Sequence, residues 1–295
     1  MFDYRYHALS LAAVLFALAL GVLIGVAIGD SNLVSSAKSG IVHDLNSEVS
    51  EARKQNAELQ SSLADEEAFS KGLYQLAVHE LLNGRSIGLL FLGSSSDQVN
   101  SLTRAAVTEA GGSLTTVVAV KEPLNLAGIA KEAAGTRYAE LATSTALLER
   151  FGELVGRQLV SGGQLVDKEL VSRVKAALFS AFDGSLTHLE GLVVMRAEPK
   201  EAQSAEAEAS AQFESGVLKG VAAAGVAPVG VQLTETEPTQ IPWYKSQGIS
   251  SVDNLNQMAG QAALAYALAG AKGAFGVSST ADSLLPTVNS TGSAP

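Results

Sequence analysis

With 295 residues, 20 Lys and Arg against 30 Asp and Glu, and a formal charge of −10, the chain would repel a phosphate backbone and argues against nucleic acid as a partner. It contains no cysteine, which removes disulfide frameworks, thiolate metal sites and cysteine nucleophiles together. The hydrophobic fraction of 47% leaves enough apolar material for one α/β domain beside any membrane or stalk segment.

Residues 8–29 carry no charge. As a helix rising about 1.5 Å per residue the run measures about 33 Å, against a hydrocarbon core of about 30 Å, so one membrane span is expected. Arg5 and the α-amino group precede it, while Asp30 follows and the next cation is Lys38. This bias points the N-terminus into the cytoplasm and the body of the chain outside. Phe2, Tyr4 and Tyr6 suit an aromatic belt at the headgroups, and Gly21, Gly25 and Gly29 form a Gly-xxx-Gly series on which a second helix can pack. Ala27 and Gly29 also offer the small residues of a signal-peptide cut, but the run exceeds the usual 7–15 residues of a signal core and favours an uncleaved anchor.

From 32 to about 82 there is no proline, and the composition of Ala, Glu, Gln, Lys, Leu and Ser predicts a long helix. With Val42 at position a, the series Val42, Leu45, Val49, Ala52, Asn56, Leu59, Leu63 keeps the 3-4 spacing of a coiled-coil seam. Glu66 breaks it, and Phe69, Leu73 and Leu76 resume in a shifted frame, so 65–67 marks a stutter or bend. Asn56 at an a position selects two strands and one alignment, and two chains anchored in one membrane must run parallel. The same positions could instead pack on the chain's own domain. His43 and His79 sit about ten turns apart along this helix and cannot share a metal.

Residues 86–93 form a continuous apolar run ending in Gly, followed by Ser94, Ser95, Ser96 and Asp97 and then a helical pattern; 114–120 is a second apolar strand. This strand–helix–strand order predicts a parallel, buried sheet. Helices follow at 126–133, 138–160 and 168–182, then a strand at 189–195, a helix from Pro199 to about 224 and a strand at 226–233. The segment around Trp243 and Tyr244 and the following 245–248 read as an exposed loop, 258–269 as a small-residue helix, and 285–295 as a disordered polar tail. The expected divisions are 1–30 (cytoplasmic stub and anchor), 31–84 (coiled-coil stalk), 85–284 (a Rossmann-like, mostly parallel sheet flanked by helices, outside the cytoplasm) and 285–295.

The loop Gly93, Ser94, Ser95, Ser96, Asp97 stands where an open α/β sheet meets a ligand, yet no phosphate-binding glycine motif occurs there, and Ser96 or Asp97 serves equally as a helix cap. His188, two residues before a strand, has no nucleophile partner, and Glu206 and Glu208 read as a solvated helix face. Asp253 is a lone carboxylate near the sheet edge. Met195 and His188 lie seven residues apart around one strand, and soft or imidazole donors are otherwise scarce and unclustered, so copper ligands are not evident and no cofactor or catalytic residue is expected.

The N-terminal block, with Arg5, His7, Ser10 and Leu11 leading into the apolar run, resembles the signature of the actinobacterial copper transport protein B (MctB) family, and the segments 250–254, 260–270 and 273–276 resemble its C-terminal block. The resemblance implies an envelope protein tied to copper export or resistance, with some relatives linked to cell separation and cell-wall remodelling. The chain therefore reads as a single-pass, outward-facing parallel homodimer and not an enzyme. Its α/β domain would meet an envelope protein partner or ligand at the crevice of Gly93–Asp97, Trp243, Tyr244 and Asp253. The alternative is a coiled-coil scaffold for cell-wall or division partners.

Overall fold

Apolar runs bounded by glycine and polar loops pair through their backbones into one seven-stranded sheet of order β3-β2-β1-β4-β5-β6-β7. A computed structural model describes residues 4–29, 31–162, 168–197 and 204–287. Phe2, Pro199 and the tail from 288 onward, each given a role above, lie outside the described residues. The chain divides into two units, 1–68 and 69–295.

In the first unit, α1 (Tyr4–Gly29) is helical throughout, and its stretch Tyr6–Gly29 is long and apolar enough to cross a membrane, with none of it buried. A Cβ built on Gly21, Gly25 or Gly29 meets nothing within 4 Å. Helix α2 (Ser31–Val78) begins in this unit and its 48 residues end in the second, a long helix as its composition predicts. Val42, Leu45, Val49, Leu59 and Leu63 stay between 41% and 63% exposed on it.

In the second unit, β1 (Ser86–Leu92) pairs in parallel with β2 (Ser113–Val120) on one side and β4 (Gly191–Arg196) on the other. Beyond β4 lie β5 (Pro228–Val231), β6 (Ser250–Val252) and β7 (Ala274–Phe275), all parallel. Period-two alternation divides each strand between two cores. Leu90, Leu92, Val118, Leu192 and Val194 face one core with α4 (Leu126–Glu132), α5 (Thr145–Val160), α6 (Lys168–Leu178) and α7 (Ala205–Ala223). Ile87, Leu89, Phe91 and Val193 face the other with α3 (Asp97–Glu109), α9 (Met258–Leu268) and the last turns of α2 through Tyr74 and Val78.

Helices α5 and α7 meet backbone to backbone. A Cβ on Gly152 would stand 2.3 Å from the Phe213 carbonyl oxygen, and one on Gly216 would stand 2.1 Å from that of Glu149. Gly156 and Gly220 are equally crowded, so four glycines set this crossing.

Three elements differ from the sequence reading. The helix expected over 168–182 ends at Leu178, and Phe179–Gly184 becomes β3, which pairs antiparallel with the edge of β2. Leu178, Phe179 and Phe182 keep a helical apolar spacing, but the open backbone of β2 captures the segment. The helix expected from 138 begins at Thr145; Tyr138 and Leu141 reach the core through turns closed by Thr136 and Thr143 side chains. The loop expected around 241–248 holds the short helix α8 (Ile241–Ser246), with Pro242 in its first turn, where a missing N–H costs nothing.

Candidate functional site

The loop after β1 leads to α3 on one face of the sheet, and the chain after β4 leads to α7 on the other. Neighbouring strands whose connections part in opposite directions leave a crevice at their carboxyl ends, the usual ligand position of an open α/β sheet. Gly93 lines this point with φ of 109°, a conformation glycine adopts freely. A Cβ there would stand 2.7 Å from Glu122 Oε2 and 3.3 Å from Ala197 Cβ, so β1, β2 and β4 converge on a position that only glycine fits.

Arg196 closes β4. It follows Leu192 and Val194 in period two and so points to the α7 side of the sheet, where Glu214 shares the buried face of its helix with Phe213 and Val217. Arg196 Nε donates to Glu214 Oε2 at 2.8 Å, Nη1 donates to Gln240 Oε1 at 2.7 Å, and the guanidinium lies 4.7 Å above the Trp243 ring. Arg196 is 9% and Glu214 is 4% exposed. Gln232, just past β5, accepts through Oε1 from the Gln240 backbone N–H at 2.7 Å and from the Thr239 hydroxyl at 3.2 Å.

Tyr244 seals the layer beneath. Its ring covers β5 at Gly230, where a Cβ would stand 2.5 Å from the ring. Its hydroxyl oxygen accepts from the Arg196 backbone N–H at 2.9 Å and its proton faces the carbonyls of Val231 at 3.1 Å and Val194 at 3.3 Å.

Two carboxyl groups feel the one guanidinium of Arg196, Glu214 through a hydrogen bond and Glu122 through space. Burial pushes Glu214 up to about 7, and the attraction and hydrogen bond of Arg196 only partly offset it, while Glu122 adds repulsion. Glu122 is also raised, first by burial and against the pull of Arg196. Its Oε1 has no hydrogen-bond partner among the described residues. Burial pushes the Tyr244 hydroxyl upward too, so it stays protonated as a donor.

Of the residues named from sequence, Gly93 is buried at this switch point, and Ser94, Ser95 and Asp97 are exposed beside it. Ser96 caps α3, accepting from the Val99 N–H at 3.3 Å. Trp243 is half-buried over Arg196, but Tyr244 is wholly buried and offers no contact surface, which corrects the expectation of an exposed pair. Asp253 is 1% exposed; its two oxygens accept the N–H groups of Val277 at 2.8 Å and Ser278 at 2.9 Å, so it clamps the turn after β7. His188 is exposed at the amino end of β4 and Met195 lies near its carboxyl end, roughly 20 Å away at about 3.3 Å per residue. The two donors are not brought together, and no group of three His, Cys, Asp or Glu that could hold a metal ion occurs among the described residues.

Glu122, Arg196, Glu214, Gln232 and Gln240 were missed from sequence. The available signal was a lone Arg ending the apolar strand at 191–196 and a Glu on the apolar face of a helix rich in small residues.

The fold defines a chain with, among the described residues, one apolar helix of membrane length, together with an α/β domain built on a mostly parallel sheet. The model of the family described as "Copper transport outer membrane protein, MctB" matches residues 1–286, and the chain belongs to that family. Similar curated proteins are the "Copper transporter MctB" of Mycobacterium bovis and its namesakes in two strains of Mycobacterium tuberculosis, each 30% identical over 122 residues. That alignment covers 41% of this chain and 38% of each relative, so the chain spans well under half the length of the relatives it matches.

Proposed function

We propose that this protein is a single-pass, membrane-anchored envelope component that works as a pair. Its α/β domain would recognise an envelope protein or ligand at the carboxyl edge of the sheet, in support of copper export or homeostasis. Family membership and the name of the mycobacterial relatives support the copper role. The observation that carries the reading is α1: its stretch Tyr6–Gly29 holds an 18-residue window of mean hydropathy 2.9, none of it buried, which water would expose at large cost and a bilayer would cover.

One span per chain makes no conduit by itself, so the contribution is one of tethering and recognition. Arg196, held by Glu214 and Gln240, lies against the Trp243 ring beside the carboxyl edge, and Ser94, Ser95 and Asp97 supply exposed polar groups next to it. With the N-terminus cytoplasmic, the α/β domain would lie outside the cytoplasm. A deletion strain should lose copper tolerance and regain it with the intact gene, but not with a gene whose residues 1–29 are replaced by a cleaved signal peptide. Unchanged tolerance on deletion removes the copper role, and a C-terminal reporter facing the cytoplasm removes the orientation.

The 48-residue helix α2 with its exposed apolar stripe also favours a second reading, a scaffold for cell-wall or division partners. That reading expects a reproducible envelope protein in cross-linked pull-downs and a cell-separation defect with normal copper tolerance.

A further inference from the structure

The apolar stripe on α2 has charged neighbours that restrict what can cover it. Positions a and d from Val42 to Leu63 carry no charge, and the ion pair of Lys54 with Glu58, 4.0 Å apart, lies on the opposite face at positions f and c. Glu48 falls at g and Arg53 at the following e, directly beside the seam, and both are exposed. Neither has an ion-pair partner within the single chain among the described residues.

We infer that a second copy of this chain covers the stripe in a parallel, unstaggered alignment, with Glu48 of each chain paired to Arg53 of the other. In a parallel coiled coil a g residue meets the e′ residue five positions on, which is the spacing of 48 and 53. The same alignment sets Asn56 against Asn56 at a shared a layer, the one polar layer in the seam and a known device for fixing two strands and one register. A shift by one heptad would bury Asn56 against Val49 or Leu63 and separate Glu48 from Arg53. This inference rests on the paired, anchored chain proposed above and adds its direction and register.

Because the chain has no cysteine, single cysteines report on that geometry without background. In the full chain in native membranes, Leu45→Cys and Leu59→Cys, both at d, should cross-link with a short bifunctional maleimide, whereas Ser47→Cys, at f, should not. Cross-linking of Leu45→Cys only in mixtures with Leu63→Cys would mean antiparallel chains and overturn the inference. Equal cross-linking of all three cysteines, or of none, would overturn it as well. As a second arm, Glu48→Arg and Arg53→Glu should each weaken self-association roughly tenfold through like charges at both flanks. Mixed together, the two variants should form heterodimers well above the statistical half; a statistical mixture would overturn the charge pairing. Loss of copper tolerance is scored separately in these strains, so failure of the copper role leaves the cross-linking result standing, and failure of the register leaves the anchor and copper results standing.

Discussion

Arg196 Nε and Glu214 Oε2 stand 2.8 Å apart with both side chains almost wholly out of solvent, one at the end of a strand and the other in the middle of the helix laid across it. Such a pair is costly to form and costlier to break, because removing one partner strands the other's charge in a medium that solvates it poorly.

Arg196→Leu should therefore destabilise the domain by about 3–5 kcal/mol. Arg196→Leu combined with Glu214→Leu should recover most of that loss. Denaturant unfolding of the full chain in detergent, followed by near-ultraviolet signal from Trp243 and its neighbours, measures both; a double variant as weak as the single one would assign the effect to the shape of the arginine and not to its charge.

The pH profile carries an opposite sign to that of most ion-paired carboxylates. Glu214 binds its proton more tightly in the fold, at about 7, than when unfolded, near 4.5. Its contribution to stability is fully present below the unfolded value and is lost as pH rises through the folded one, so stability should fall between about pH 5 and 7. Glu122 acts in the same direction. Glu214→Gln should flatten this slope; a slope that survives in that variant would assign the effect elsewhere.

Gly152→Ala or Gly216→Ala should cost about 2–3 kcal/mol, since the added methyl meets backbone atoms of the facing helix that cannot rotate away. Gly40→Ala, on α2 with nothing within 4 Å, should instead stabilise its helix by about 1 kcal/mol. Thermal melts of the three variants decide between steric and propensity effects.

Asn56→Ile should strengthen association of α2 by roughly 2 kcal/mol per chain, from burial of an apolar side chain, while relaxing its alignment or its two-strand limit. Sedimentation of the full chain in detergent should show a tighter dimer or larger species. An unaltered monomer would mean that α2 carries no seam.

Much of the architecture could be read locally. The uncharged run of α1, the proline-free α2, and the apolar strands β1, β2 and β4 each announce themselves, because burial in lipid or on both faces of a parallel sheet requires continuous apolar stretches. The cap at Ser96 was equally legible, since a hydroxyl three residues before a free N–H suffices. The segment 179–184 kept a helical apolar rhythm, and only the unpaired edge of β2 made it a strand.

The cluster at the carboxyl edge left only two faint marks in the sequence, a lone Arg ending an apolar strand and a Glu on the apolar face of a helix. Glu122, Arg196, Glu214, Gln232 and Gln240 come from five separated stretches, each lacking a motif of its own. What joins them is the order of the strands: a switch between β1 and β4 opens the crevice, period two turns Arg196 toward α7, and the glycine crossing with α5 lets α7 lie close. Sequence determined the apolar helix α1, the long helix α2 and the alternation of strands and helices, because these depend on hydropathy and spacing along the chain. Tertiary structure alone decided which charges are buried together, because desolvation and pairing depend on neighbours that are distant in sequence.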